Sequence, residues 1–152
     1  MNADPVLWGT HPERGLVRSV WHKQVGWRWV TVVERRLRGA SQGTLVHLAF
    51  LTTLRQQLGA PLEAWEISKT YGNAIPDALW HRPEGVWAVE VDLGYPRALV
   101  VRKVHHFTRY AGQVWGVVSR ERERQVWLEV RRITSDQPLK VLTLVPQEEV
   151  VA

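Results

Sequence analysis

Ile75-Pro76-Asp77-Ala78-Leu79-Trp80, a turn at Arg82-Pro83-Glu84-Gly85, and then Val86-Trp87-Ala88-Val89-Glu90-Val91-Asp92-Leu93 stand at the middle of the chain. Two apolar runs of strand composition around a Pro/Gly loop predict a β-hairpin. Side chains alternate along a strand, so Trp87, Val89, Val91 and Leu93 share one face, a core face, while Glu90 and Asp92 share the other. Asp77 opens the preceding strand, where pairing brings it close to both. Three acids converging at the end of a hairpin point to a hard-cation site or a general-base site, because oxygen ligands suit Mg2+ and Mn2+. Asp77, Glu90 and Asp92 are the candidate ligands.

On the amino-terminal side, Thr44 reads as a helix N-cap, and Leu48, Leu51, Leu54 and Leu58 trace one stripe of a helix closed by Gly59 and Pro61. Leu62 to Ser68 has mixed polarity on both faces and reads as an edge or partly exposed strand, with Glu66 a lesser fourth carboxylate. Pro96 opens a second helix, Arg97 to Ala111, whose Val100, Val104 and Phe107 form a core face beside a row carrying Lys103. Gln113 to Ser119 is an apolar run of the buried-strand type. Arg120 to Ile133 reads as a helix, although Val126, Leu128 and Val130 also alternate, and Leu139 to Val145 is a last short strand. Helix, three strands, helix, strand, helix and strand make an α/β fold around a mixed sheet flanked by helices.

Pro76-Asp77 followed by Glu90-Val91-Asp92 resembles the core of PD-(D/E)XK nucleases, in which Asp and Glu hold a divalent metal and a Lys helps activate water. Asp92 stands at the Lys position, so the resemblance is to a degenerate member. The chain is more closely similar to the replication-relaxation family of plasmids and integrative elements, through Pro76-Asp77-Ala78, Glu90-Val91-Asp92-Leu93-Gly94, Lys103, Tyr110 and His47. Leu93 and Tyr95 depart from that pattern, which more often has Arg and Thr. The likeness spans residues 44–145. It implies a restriction-endonuclease-like fold and a DNA-binding protein of a mobile element's replication or transfer apparatus. If cleavage is retained, it implies Asp77 and Glu90 on Mg2+ or Mn2+, Asp92 as third ligand or base, and Lys103 as the group that orients or activates water. The helix after Thr44 carries no acid, where nucleases of this class often place a Glu, so weak cleavage or none is the expectation.

Residues 1–43 stand apart from this 44–152 unit. Met1 to Gly15 reads as an arm, and Val25 to Val33 as a strand. Trp21, Trp27 and Trp29 are interleaved there with Arg18, Lys23, Arg28, Arg35, Arg36 and Arg38. Two readings stand: an aromatic, basic surface for nucleic acid, or core and interface anchors surrounded by solvated Arg. Arg102, His105 and Arg109 form a basic row on the second helix, so Arg18, Lys23, Arg28, Arg102 and Arg109 are the candidate phosphate contacts.

A net charge of +5 favours polyanionic partners. The absence of Cys excludes disulfides, thiol catalysis and Cys-ligated zinc. No apolar run reaches the ~18 residues of a membrane span and the amino terminus lacks a secretory core, so a cytoplasmic protein is expected. One Met and no Cys are also the usage of a heat-adapted source. The reading from another class is a non-catalytic interaction module. Glu90 and Asp92 would then pair with Arg97, Arg102 or Lys103, and the Trp-rich surface would form a homodimer or hold another protein.

Overall fold

A computed structural model describes residues 3–70, 72 and 74–147. Tyr71 and Asn73, in the turn expected before Asp77, and the acidic tail after Gln147 lie outside them. The described chain is a mixed α/β structure. Its larger sheet has the order β4 (Trp65–Ile67), β5 (Ala78–Arg82), β6 (Gly85–Val91), β7 (Gly112–Val117), β8 (Leu139–Thr143). The first three strands are antiparallel and the last three parallel. Parallel neighbours need crossovers, which α2 (Arg97–Phe107) and α3 (Arg120–Ile133) supply. This is the expected mixed sheet flanked by helices, and β6 lies at its centre.

The hairpin forms because Arg82 and Gly85 pair across the turn and Gly85 takes a positive φ of 140°. Both faces of β6 are buried, which corrects the expectation of one core face. Trp87, Val89 and Val91 pack toward α1 (Gln42–Leu58), while Ala88 packs with Val100, Val104 and Phe107 of α2 and Val126 and Val130 of α3. A central strand joined to a parallel neighbour is covered by helices on both sides, so its acids are buried with its apolar residues.

Residues 3–43 are not an arm beside this unit. Val6–Trp8 is β1, and with β2 (Leu16–His22) and β3 (Gly26–Val32) it makes a second, antiparallel sheet of order β1-β3-β2. Val6, Leu7 and Trp8 are buried. α1 lies between the two sheets and is apolar nearly all round, as a helix covered on both flanks must be. Val20, Val30, Leu45, Phe50, Val89 and Val114 belong to one continuous core, so the expected boundary at 43/44 falls inside it. Thr52 Oγ1 donates to the Val6 carbonyl at 2.7 Å and Trp8 Nε1 to Thr53 Oγ1 at 2.8 Å, stitching β1 to the helix. The N-cap is Ser41 rather than Thr44: the Ser41 hydroxyl accepts the Thr44 N–H at 3.1 Å, satisfying one of the free first-turn donors. Among the described residues, no helix is long and apolar enough to cross a membrane.

Gly112 fixes how β7 meets the hairpin. A β-carbon there would lie 2.5 to 2.6 Å from three ring atoms of Trp87, which is itself buried. Gly112→Ala should therefore cost ~1–3 kcal/mol through overpacking. Chemical denaturation measures it, and a loss below ~0.5 kcal/mol, the ordinary scatter of surface substitutions, would show that Trp87 is free to give way.

Candidate functional site

Regular pairing of β5 and β6 ends at Ala78 and Val89, and beyond it two carboxylates continue the stitching. The Val91 N–H donates to Asp77 Oδ2 at 2.8 Å, and the Asp77 N–H donates to Glu90 Oε1 at 3.1 Å. Each acid thus satisfies a backbone donor of the opposite strand. Glu90 alternates with Val89 and Val91 and so points to the α2 side, where it is fully buried. Lys103 answers it from the core face of α2, with Nζ 2.9 Å from Glu90 Oε2. Tyr95 completes the set: its hydroxyl donates to Glu90 Oε2 at 2.7 Å, and the Lys103 ammonium lies 5.4 Å from its ring centre. His47, from the first half of α1, brings Nε2 to 3.1 Å from Asp77 Oδ2, off the line of a good hydrogen bond, so the contact is mainly electrostatic.

The electrostatics follow from burial. Glu90 is pushed up to about 8 by desolvation first and by the Asp77 charge second; Lys103 and the donors from Lys103 and Tyr95 pull back only part of this. Burial works against a charge on His47, yet its contact with Asp77 and the charge of Glu90 outweigh that, and its pKa is raised. Burial, then the neighbouring acids, raise the Tyr95 phenol well above its ordinary value, so it stays a proton donor.

Asp92 sits on the same face of the strand as Glu90 but has other partners. Its Oδ1 accepts the N–H groups of Gly94 at 2.8 Å and Tyr95 at 2.6 Å, a turn that Gly94 permits with a φ of 129°. Its Oδ2 takes a two-pronged contact from Arg122 of α3, at 2.8 and 2.7 Å. The expected cluster of three acids is thus two acids with a cation, plus a third acid neutralised separately. Glu66 is exposed on edge strand β4, 3.3 Å from His81.

An open cleft of about 380 Å3 lies over the pair, lined by Gly43, Thr44, His47, Gly72, Ile75, Asp77, Tyr95, Leu99 and Lys103. Among the described residues, Asp77 is its one lining carboxylate. As a test of Mg2+ or Mn2+, the donor set fits poorly: Glu90 Oε2 already carries an ammonium and a phenol, and Asp92 Oδ2 carries a guanidinium. A hard cation would have to displace Lys103 to share Glu90 with Asp77. As they stand, the groups favour an anion at the mouth, where the Lys103 ammonium and the His47 imidazole face the cleft.

The candidate phosphate contacts are dispersed. Arg18 donates to the carbonyls of Ala40 at 2.8 Å and Arg38 at 3.2 Å, tying β2 to the loop before α1 instead of facing solvent. Lys23, in the β2–β3 turn, is exposed, and Arg28 is half-buried. Arg102 and Arg109 lie on the exposed side of the second helix region, Arg109 donating to the Ala74 carbonyl at 3.1 Å and lying over the Tyr110 ring. Tyr95 is the site residue that sequence reasoning missed. Gly94 was the available signal, since a turn directly after the acids carries the next side chain back over them. Comparison of the chain with protein-family models, with curated proteins and with solved structures finds no match.

Proposed function

We propose that this chain is a cytoplasmic DNA-binding protein with a nuclease-like core, of the replication-relaxation type, acting in the replication or transfer of a mobile element, with cleavage weak or absent. The observation that supports this most is the meeting of Asp77, Glu90 and Lys103 at the end of a mixed sheet, beside a cleft between α1 and α2. That is the arrangement the resemblance implies, with the lysine supplied from the helix. Lys103 and His47 would face a phosphate entering the cleft, and Tyr95 and Glu90 would hold the ammonium in place behind it. The burial and full engagement of Glu90 favour binding over turnover.

DNA affinity should fall steeply with salt and show little base preference, because phosphate contacts release counterions and read no sequence. Fluorescence anisotropy across a salt series checks this; binding undetectable at low salt, or indifferent to salt, would sink the proposal in favour of a protein-interaction module. Nicking of supercoiled plasmid with Mg2+ or Mn2+, run beside Asp77→Ala and Glu90→Ala, reports on cleavage. Equal activity in all three proteins would place any nicking outside this site.

A further inference from the structure

The outer face of the three-stranded sheet is the largest aromatic exposure among the described residues. Trp21, Trp27 and Trp29 are 50%, 70% and 52% exposed. Trp21 pairs directly with Trp27 across the β2–β3 hairpin, and Trp29 pairs with Ser19, so all three rings rise from one face with a small residue beside the third. Tryptophans placed for packing would point to α1, as Val20 and Val30 do on the opposite face of the same strands. Residues 15–33 contain no Asp or Glu; Arg18 and Arg28, paired with Val30 and Val20, leave from the other face, and Lys23 in the turn is the exposed cation of the hairpin.

This face is also continuous with the cleft. β2 is an edge strand, and its Trp21 N–H donates to the Gln42 side chain at 2.7 Å, next to Gly43 and Thr44 of the cleft wall. In the hairpin turn, Gln24 reaches the Leu93 carbonyl at 3.5 Å, and the Lys23 ammonium lies 3.9 Å from the position a Gly94 β-carbon would take. Lys23 therefore stands between the tryptophan face and the turn that carries Tyr95.

We propose that the β2–β3 hairpin is a stacking platform for single-stranded DNA, which runs from Trp27, Trp29 and Trp21 past Lys23 to the cleft of Lys103 and His47. The inference rests on the DNA-binding reading and narrows it to an unpaired strand. Exposed rings on a sheet face accept bases of any sequence, since every base has a π-face, whereas the stacked bases of a duplex offer no such surface. Lys23 at the end of the row of rings and the absence of acids from the hairpin suit the strand's phosphates and disfavour a basic partner, including a second copy of this basic chain.

The experiment uses the full chain, a labelled oligo(dT) strand and a blunt duplex of equal length at low salt, followed by anisotropy and by quenching of tryptophan fluorescence. The expected result is tighter binding of the strand than of the duplex, with quenching. Trp27→Ala and Trp29→Ala should each weaken strand binding about tenfold, toward the low end of what one stacked base contributes, and leave duplex binding unchanged. Trp27→Phe should restore most of the loss. Trp127→Ala, which removes an exposed ring from α3, should change neither. Duplex binding with no strand preference and no effect of Trp27→Ala overturns this inference alone, whereas binding of neither probe overturns it together with the DNA-binding reading. A loss in Trp127→Ala equal to that in Trp27→Ala overturns it as nonspecific. Sedimentation that finds a dimer converted to monomer by Trp27→Ala overturns it by assigning the face to a second copy.

Discussion

Lys103→Ala should lower the stability of the folded chain by ~3–5 kcal/mol near pH 8, the range for removing one partner of a buried ion pair. The ammonium is nearly buried, Glu90 is fully so, and Asp77 lies beside them, so truncation leaves two acids in the interior with no lysine between them. Glu90→Gln should cost less than Lys103→Ala, because the amide still accepts from Tyr95 without a charge that burial disfavours, and the ammonium left behind borders the open cleft together with the Asp77 carboxylate. The double variant should lie near Glu90→Gln alone, since the cost of losing the cation exists only while the acid is there. The sign with pH follows from the raised Glu90 value. Its folded form holds a proton that the unfolded chain gives up above ~4.5, so Glu90 erodes stability as pH rises from there to about 8. The Lys103→Ala deficit should accordingly be smaller at pH 5 than at pH 8, where Glu90 can no longer stay protonated as readily. Urea unfolding of the four proteins at both pH values gives the cycle. Additive losses, or a Lys103→Ala cost below ~1 kcal/mol, would mean that solvent reaches the pair and that it is a surface contact.

Arg122→Ala should be the second large loss, about 3 kcal/mol, by leaving the buried Asp92 without its guanidinium. The two N–H donors at Oδ1 remain and keep the loss below that of Lys103→Ala. Asp92→Asn should also destabilise, because Arg122 then points a charge at an amide. Neither change should alter the proposed DNA affinity once the protein is folded, for Asp92 and Arg122 hold the turn and do not line the cleft. Thermal melts and the binding assay together check this. Full stability in Arg122→Ala would contradict the structural role, and a stable Asp92→Asn that no longer binds DNA would return Asp92 to the site.

Much of this was legible in the residues. The hairpin, α1, α2, β7, α3 and β8 follow from periodicity and from Pro and Gly punctuation, and Asp77 and Glu90 meet because register across a short turn is fixed. The partners of the acids were harder to read. Arg122 is 30 residues from Asp92, in the first turn of a helix dense with charge, where nothing local separates it from solvated neighbours. The spacing of α2 places Lys103 only beside the core row, and nothing in that row says that it turns inward to an acid. β1 escaped because Val6-Leu7-Trp8, between Pro5 and Gly9, is too short to show alternation. The three tryptophans could not be assigned inward or outward until the strand pairing was known, since a shift of one residue exchanges the faces.

The position of α1 between two sheets bears on how the chain is made. A ribosome delivers β1, β2 and β3 before the helix and the larger sheet after it. The small sheet is therefore the first cover that α1 meets, shielding one apolar flank during the interval before β6 and β7 emerge to close the other. Residues 3–43, besides carrying the tryptophans, supply that cover, and a chain begun at Thr44 should lose it together with the Ser41 cap.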